Sequence, residues 1–273
     1  MADRDSAAAV ALRAAIAVPG PTIDLAAAAL ACAAMDRPGL DLAPYHAHLE
    51  TLSRDAGACV AGRRPDAALA AALAERHGYA GDRDGYDDVA NADLARVIDR
   101  RRGLPVALAI LWIHAARAQG WTCVGLDLPG HFVIRLEAGD GATTLDPFDG
   151  GRALDQAALA ALLRRVAGAV AASDADPPQP IDDRSVLLRL QNNLKLRLAR
   201  AGETQRALAV AERMLIVAPR ALELWRESAQ LHAALGSLRA GVACLETAMT
   251  LAADAPARQR IAAEIAALSG RLN

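Results

Sequence analysis

Residues 91–151 read NADLARVIDRRRGLPVALAILWIHAARAQGWTCVGLDLPGHFVIRLEAGDGATTLDPFDGG. The pattern changes from helical to strand-like at Gly120. Pro105 suits the first position of a helix, because its missing N–H would have no partner within the helix. The residues that follow Pro105 are apolar as far as Ile113, which predicts a buried central helix.

Three short strands are predicted after this helix, at residues 121–127, 131–137 and 142–146. Each is rich in β-branched and apolar residues, and turn signals separate them at Pro129-Gly130 and at residues 139–141. Helices followed by a small antiparallel sheet indicate the α+β class.

The composition limits the fold and the partners. The chain has 273 residues, which suits two domains. It is 53% hydrophobic but only 3% aromatic, which favours a core of closely packed helices over an all-β or disordered chain. The net charge of −2 offers no general attraction to nucleic acid or to an acidic membrane. We therefore expect neither as a partner.

The cysteines and the hydropathy predict the compartment. Four scattered cysteines form no CxxC pair, so neither a zinc site nor a disulfide framework is indicated. The first residues are not typical of a signal peptide, and no apolar run is long enough to span a membrane. These observations predict a cytoplasmic protein without a metal or cofactor.

The chain divides into two predicted domains. Residues 1–171 form the first, with a helical region over 1–90 and a core over 91–171. Residues 172–184, ASDADPPQPIDDR, offer little to bury and are interpreted as a linker. Residues 185–273 are predicted to be entirely helical.

The second domain carries a repeat. Gly202, Ala207 and Pro219 have the spacing of a tetratricopeptide unit, and Gly202 recurs as Gly236 after that motif's period. The second copy is imperfect, since Gly241 stands where alanine is usual. Two such units favour an all-α domain that is completed by a terminal helix or packs on the first domain.

One pair of residues could carry chemistry. In a hairpin that turns at residues 139–141, Asp146 comes nearly opposite His131, with diagonal neighbours roughly 7–8 Å apart at the backbone. A carboxylate on one ring nitrogen would leave the other nitrogen as a base. A histidine that only caps the preceding turn explains the same pattern.

A nucleophile would belong at the start of the buried helix, where the helix dipole acidifies a thiol. That position holds Leu104-Pro105-Val106, and proline cannot attack a carbonyl. Cys123, eight residues before His131, is the alternative thiol and could run alongside that histidine. It lacks a helix start to acidify it, and simple packing explains it as well.

Other polar residues give weaker signals. His46 and His48 would face different sides of a helix, which is poor metal geometry. Residues 100–102 are three arginines that could receive a phosphate or a partner's carboxylate, or remain solvated. Asp127 and Asp149 flank the predicted cleft and are explained equally well as turn residues.

Several segments together resemble the bacterial SirB-type proteins, in which a transglutaminase-like domain precedes tetratricopeptide repeats. These segments are HGYAGD, VIDRRRGLPVALAILW, LDLPGHFVIR and LDPFDGG. The resemblance implies a papain-like transglutaminase core, whose active members use a cysteine at the helix start, a histidine and an aspartate. His131 and Asp146 match the last two, whereas Pro105 stands at or beside the cysteine position.

The resemblance therefore implies a non-catalytic regulatory or scaffolding protein that binds a protein or peptide through its cleft or its repeats. A cysteine-dependent hydrolase or acyltransferase that uses Cys123 with His131 and Asp146 is the alternative, so catalysis stays open. A nucleic-acid-binding regulator is suggested only by the family's name, and the net charge disfavours it. The partner and the oligomeric state are left open.

Overall fold

The computed structural model describes residues 6–139, 141–167 and 178–272. They form two compact units, the N-terminal unit Ser6–Leu190 and the C-terminal unit that begins at Gln191. The division lies within one helix. The α+β class, with a small antiparallel sheet followed by helical repeats, is confirmed.

Helices dominate both units. In chain order they are α1 (Ala7–Ile16), α2 (Leu25–Asp36), α3 (Ala43–Ala58), α4 (Pro65–Leu69), α5 (Leu94–Arg100), α6 (Pro105–Arg117), α7 (Gln156–Ala167), α8 (Asp183–Arg200), α9 (Thr204–Val217), α10 (Leu222–Ala234), α11 (Leu238–Leu251) and α12 (Ala255–Ser269). A π-helical turn, Ala70–Arg76, continues α4. Short 3₁₀ turns occupy Val89–Ala92 and Pro147–Asp149.

The strands form two sheets. They are β1 (Ala80–Gly81), β2 (Arg102–Gly103), β3 (Thr122–Leu128), β4 (His131–Ala138), β5 (Gly141–Asp146), β6 (Arg152–Leu154) and β7 (Pro180–Ile181). β1 and β2 make a short parallel pair, whereas the other five form an antiparallel sheet in the order β6-β5-β4-β3-β7. The three predicted strands correspond to β3, β4 and β5. The short edge strands β6 and β7 were not predicted from the sequence.

The predicted central helix is α6, and it is buried. Trp112 on this helix is fully enclosed. Its ring lies so close to Gly151 that a Cβ there would come within 2.0 Å of it, and Gly151 also has a φ of +79°. Glycine is therefore required at this position. On the neighbouring sheet, Val133 and Ile134 are both fully buried, so β4 is covered on both faces.

The predicted linker needs a correction. Residues 172–177 lie outside the described residues, but residues 178–184 are ordered into β7 and the first turn of α8. Asp183 is buried and receives two hydrogen bonds from Arg117, at 2.7 and 2.9 Å, and one from the backbone of Ile23. The sequence suggested nothing to bury here because the partners of Asp183 lie far away in the chain.

The C-terminal unit consists of the end of α8 and helices α9–α12. Gly202 and Gly236 take left-handed conformations with φ near +75°, as residues after helix ends commonly do. Gly241 is well suited to its position, because a Cβ there would lie 3.1 Å from the Ala229 carbonyl oxygen. The departure from alanine at this position thus allows α10 and α11 to pack closely.

Candidate functional site

His131 and Asp146 meet in the folded chain. His131 begins β4 and Asp146 ends β5, and the pairing of Ile134 with Leu145 makes the two groups diagonal neighbours. His131 Nε2 lies 2.9 Å from Asp146 Oδ2. The two residues are only 8% and 2% exposed. The hairpin spacing therefore brings the two groups into a buried hydrogen bond.

Asp146 uses both carboxylate oxygens. Its Oδ1 accepts hydrogen bonds from the backbone N–H groups of Phe148, at 3.0 Å, and Asp149, at 3.3 Å. It thus caps the 3₁₀ turn while Oδ2 holds His131. The other ring nitrogen of His131, Nδ1, has no hydrogen-bond partner among the described residues. Such a nitrogen can accept a proton, but it needs a reacting group within reach.

Phe148 closes the space beside the histidine. Its ring lies edge-to-face with His131 at 5.9 Å and with Tyr86 at 5.9 Å, and the Arg83 guanidinium lies 5.4 Å from its centre. A Cβ on Gly81 would come within 2.5 Å of the Phe148 ring. The chain from Gly81 to Tyr86 is therefore packed directly over Phe148.

This covering segment is anchored by a buried amide. Asn91 is fully enclosed, donates to the Gly85 carbonyl at 2.7 Å, and accepts from Arg100 Nη1 at 3.1 Å. Its own carbonyl accepts from the Leu104 N–H at 3.0 Å. Arg100 also binds Asp82 at 2.8 Å. These bonds connect the covering segment to the start of α6.

The start of α6 offers no nucleophile. Leu104 is the N-cap and supplies no side-chain hydrogen bond, and the buried Pro105 is the first helical residue. Proline lacks an N–H, so this position also gives no donor to an oxyanion.

Cys123 lies away from His131. It pairs with Leu136 across the sheet, whereas His131 pairs with Leu128. Five residues along a strand separate the two sites, which corresponds to roughly 16 Å. The thiol is 1% exposed, and burial raises its pKa to about 12. The structure does not bring Cys123 to the histidine, and it leaves the thiol protonated at neutral pH.

A family profile described as the transglutaminase-like superfamily matches residues 43–192. The match covers more than half of the chain and includes α6, the sheet, His131 and Asp146. The chain belongs to the transglutaminase-like superfamily. A second profile, for tetratricopeptide repeats, matches residues 194–266, which agrees with the repeat spacing of the C-terminal unit.

Curated relatives of this transglutaminase-like protein include bacterial proteins named UPF0162. One from Xylella fastidiosa is 36% identical over 167 residues, or 60% of this chain and 59% of its own. One from Vibrio cholerae is 28% identical over 72% of this chain and 74% of its own. One from Pseudomonas aeruginosa is 29% identical over 83% of this chain and 84% of its own. No solved structure matches.

The remaining predicted candidates of the transglutaminase-like unit have local partners. Asp127 binds Arg189 at 3.0 Å, and burial raises the pKa of this carboxyl. Asp149 binds Arg83 at 2.9 Å and Arg152 at 3.0 Å. These ion pairs neutralise the two carboxylates that flank the cleft.

The described parts of the chain hold neither a metal-ligand cluster nor a membrane-spanning helix. No three His, Cys, Asp or Glu side chains come together there in a manner suited to a metal ion. No helix among the same residues is both long and apolar enough to cross a bilayer.

The sequence analysis missed Phe148, Asn91 and Tyr79 as structural neighbours of its candidates. Phe148 lies in the LDPFDGG segment and Asn91 begins the stretch at residues 91–151, but neither was assigned a role. Tyr79 is buried beside His48 and the arginine cluster. It lies in the HGYAGD segment, but its partners are 22 and 31 residues away in the chain, so the segment alone does not reveal its contacts.

Proposed function

We propose that this transglutaminase-like protein is a non-catalytic regulatory or scaffolding protein of the SirB type. In this proposal the N-terminal unit keeps the fold of an enzyme without its chemistry, and the repeats bind a peptide segment of a protein partner. We further propose a cytoplasmic location. None of the four cysteines, all of which lie in the described parts of the chain, forms a disulfide, which suits a reducing compartment.

One observation carries the proposal. His131 and Asp146 are joined at 2.9 Å, yet α6 begins with Pro105 and the nearest strand thiol is buried elsewhere. A histidine and an aspartate without a nucleophile cannot form an acyl-enzyme. A buried imidazole that is satisfied by a carboxylate still ties two strands together, so the pair has a structural role.

The C-terminal unit supplies a surface for binding. A groove of about 510 Å³ lies between α10, α11 and α12. Ala229, Leu245 and Leu268 contribute apolar lining, whereas Glu264 and Arg271 add charge. Tetratricopeptide repeats generally mediate protein–protein interactions. We expect the groove to accept a peptide with one apolar anchor and one acidic side chain for Arg271.

Peptide selection on the purified full chain tests this proposal. Enriched peptides should bind the parent protein, and Ala234→Trp should weaken binding at least about tenfold because the indole fills the groove. Ala263→Trp is the matched control, since Ala263 is an exposed α12 residue outside the groove. Absence of enrichment, or equal binding to both variants, would overturn the peptide-binding part.

A second assay tests the absence of catalysis. A glutamine-containing peptide is incubated with the protein and a primary amine, and ammonia release is followed over time. We expect no release above that of His131→Ala. Turnover that depends on His131 would refute the non-catalytic part and favour the cysteine-dependent alternative, which Cys123→Ala would then examine.

A further inference from the structure

The three consecutive arginines of the N-terminal unit have three different environments. Arg100 binds the carboxylate of Asp82 and the amide of Asn91. Arg102 donates to the backbone carbonyls of Gly78 and Arg101. The Arg101 side chain instead donates to His48 and Tyr79 and, among the described residues, forms no ion pair with a carboxylate. Arg101 and Arg102 thus both lack a carboxylate partner among the described residues, and Arg101 is the one of the two that lines the cavity described below.

The backbone of Arg101 is unusual as well. It follows α5 with φ of 57° and ψ of 24°, and it is the only non-glycine residue with positive φ among those the structure describes. Glycine normally occupies this left-handed position after a helix, because a Cβ there is crowded. An arginine at this point places its side chain over α3 at a conformational cost.

The partners of Arg101 are electrically neutral. Its Nη1 lies 2.7 Å from His48 Nε2 and donates to the Tyr79 hydroxyl, and the guanidinium stacks 4.9 Å from the centre of the Tyr79 ring. Burial, with help from Arg101 and His77, lowers the pKa of His48 to about 4. Burial also raises the pKa of Tyr79 above its ordinary value. Both groups are uncharged at neutral pH, so they hold the guanidinium without neutralising it.

A cavity of about 470 Å³ opens beside this guanidinium. Leu40, Pro44 and Ile98 give it apolar walls, and Asp41 and Asp99 add carboxylates. This volume lies within the range of pockets that bind small molecules.

Both carboxylates already have local hydrogen bonds. Asp99 accepts from the Tyr45 hydroxyl at 3.0 Å, and Asp41 accepts from the backbone N–H of Ala43 at 2.9 Å. These two donors are neutral, although the Arg37 guanidinium also hydrogen-bonds the Tyr45 side chain. The cavity thus combines one guanidinium with two carboxylates that form no ion pair with it among the described residues.

We propose that this cavity binds a small zwitterion of the α-amino carboxylate class. The ligand's carboxylate binds the guanidinium of Arg101, its ammonium group is attracted by Asp41 and Asp99, and its apolar body lies against Leu40, Pro44 and Ile98. A guanidinium is well suited to a carboxylate because it can donate two parallel hydrogen bonds. The two aspartates would repel a polyanion such as pyrophosphate. This site is separate from the groove in the C-terminal unit. The proposal of an amino-acid ligand therefore does not depend on the proposed function.

Calorimetric titration of the full chain with each common L-amino acid tests the proposal. At least one should bind saturably in the millimolar range or below. Two analogues of that amino acid should each bind at least about tenfold more weakly. One is the amine that lacks its carboxyl group, and the other is the carboxylic acid that lacks its amino group. Pyrophosphate should not compete. Absence of binding by every amino acid would overturn the proposal, as would equal binding by the deaminated acid.

Variants locate the site. Arg101→Gln and Asp99→Asn should each weaken binding of the best amino acid at least about tenfold. Arg102→Gln is the matched control and should leave binding unchanged, because Arg102 does not line the cavity. Circular dichroism establishes that each variant is folded. If Arg101→Gln fails to fold, the exposed Asp99 still provides the test, and undiminished binding by Asp99→Asn would assign the ligand to another site.

Discussion

Two histidines of the N-terminal unit are held by opposite kinds of partner. His131 bonds to the buried carboxylate of Asp146, whose second oxygen caps the following turn. His48 bonds to the guanidinium of Arg101 beside a cavity. In the first arrangement every atom of the carboxylate is used within the chain. In the second the guanidinium is held by neutral groups and faces a cavity without forming an ion pair among the described residues. The use of both carboxylate oxygens within the chain therefore distinguishes a structural pair from a candidate ligand site, where the guanidinium faces a cavity.

The largest expected effect is the slow alkylation of Cys123, the thiol that was considered as the nucleophile for His131. With a pKa of about 12 against an ordinary 9.0, Cys123 should have roughly a thousandfold less thiolate than a free cysteine at neutral pH. Alkylation followed by mass spectrometry should show Cys123 reacting far more slowly than the partly exposed Cys244. Unfolding in denaturant should remove the difference. Fast alkylation of Cys123 near pH 6 that is lost in His131→Ala would show that His131 activates a nucleophile. The His131 pair would then no longer be purely structural.

The next effect tests whether the His131 pair is structural. Asp146→Ala should lower the free energy of unfolding by about 3 kcal/mol, because a buried imidazole and two backbone N–H groups lose their acceptor. Asp149→Ala, three residues on and 39% exposed, should cost less than about 1 kcal/mol. Urea denaturation followed by circular dichroism measures both. Equal, small losses would mean that Asp146 does not stabilise the hairpin.

The smallest effect is the pH dependence contributed by His48. Its pKa is 6.5 in an ordinary environment and about 4 in the folded chain, so the unfolded chain takes up the proton first as the pH falls. The contribution of neutral His48 is complete above pH 6.5 and is lost as the pH falls from 6.5 towards 4. We expect a loss of about 1–2 kcal/mol after allowance for solvent screening.

A comparison of variants isolates this contribution. Between pH 7 and pH 4, His48→Gln should lose less stability than the parent, whereas the exposed His46→Gln should behave like the parent. Thermal denaturation at several pH values measures the difference. An identical pH dependence in the parent and in His48→Gln would mean that burial beside Arg101 does not hold His48 neutral.

Much of the candidate site was accessible to local reasoning. The alternation of residues in β4, the turn at residues 139–141 and the position of Asp146 place the two side chains within one hairpin. Contacts between strands joined by a short turn depend on spacing of a few residues, which the sequence displays directly. The inert start of α6 was equally visible, since Pro105 excludes a nucleophile by its chemistry alone.

The predictions for Cys123 and Asp183 were wrong because contacts in the fold, rather than positions in the sequence, decide which residues meet. Cys123 was considered as a neighbour of His131 because it precedes that residue by eight positions, but the tight turn after Leu128 pairs Cys123 with Leu136, five residues along β4 from His131. Cys123 and His131 are therefore far apart in space, although they are close in the sequence. Asp183 was assigned to a linker, although Arg117, 66 residues earlier, binds it through two nitrogens.

The amino-acid sequence by itself determined the helices, the three central strands, the repeat and the absence of a nucleophile at Pro105. These features depend on periodicity, turn chemistry and residue identity within short windows. Only the tertiary structure decided that Arg101 meets His48, 53 residues away, and that its charge faces a cavity. The physical reason is that an arginine looks the same in a sequence whether or not a carboxylate neutralises it, and only the packing of α3 against the end of α5 determines which groups surround it.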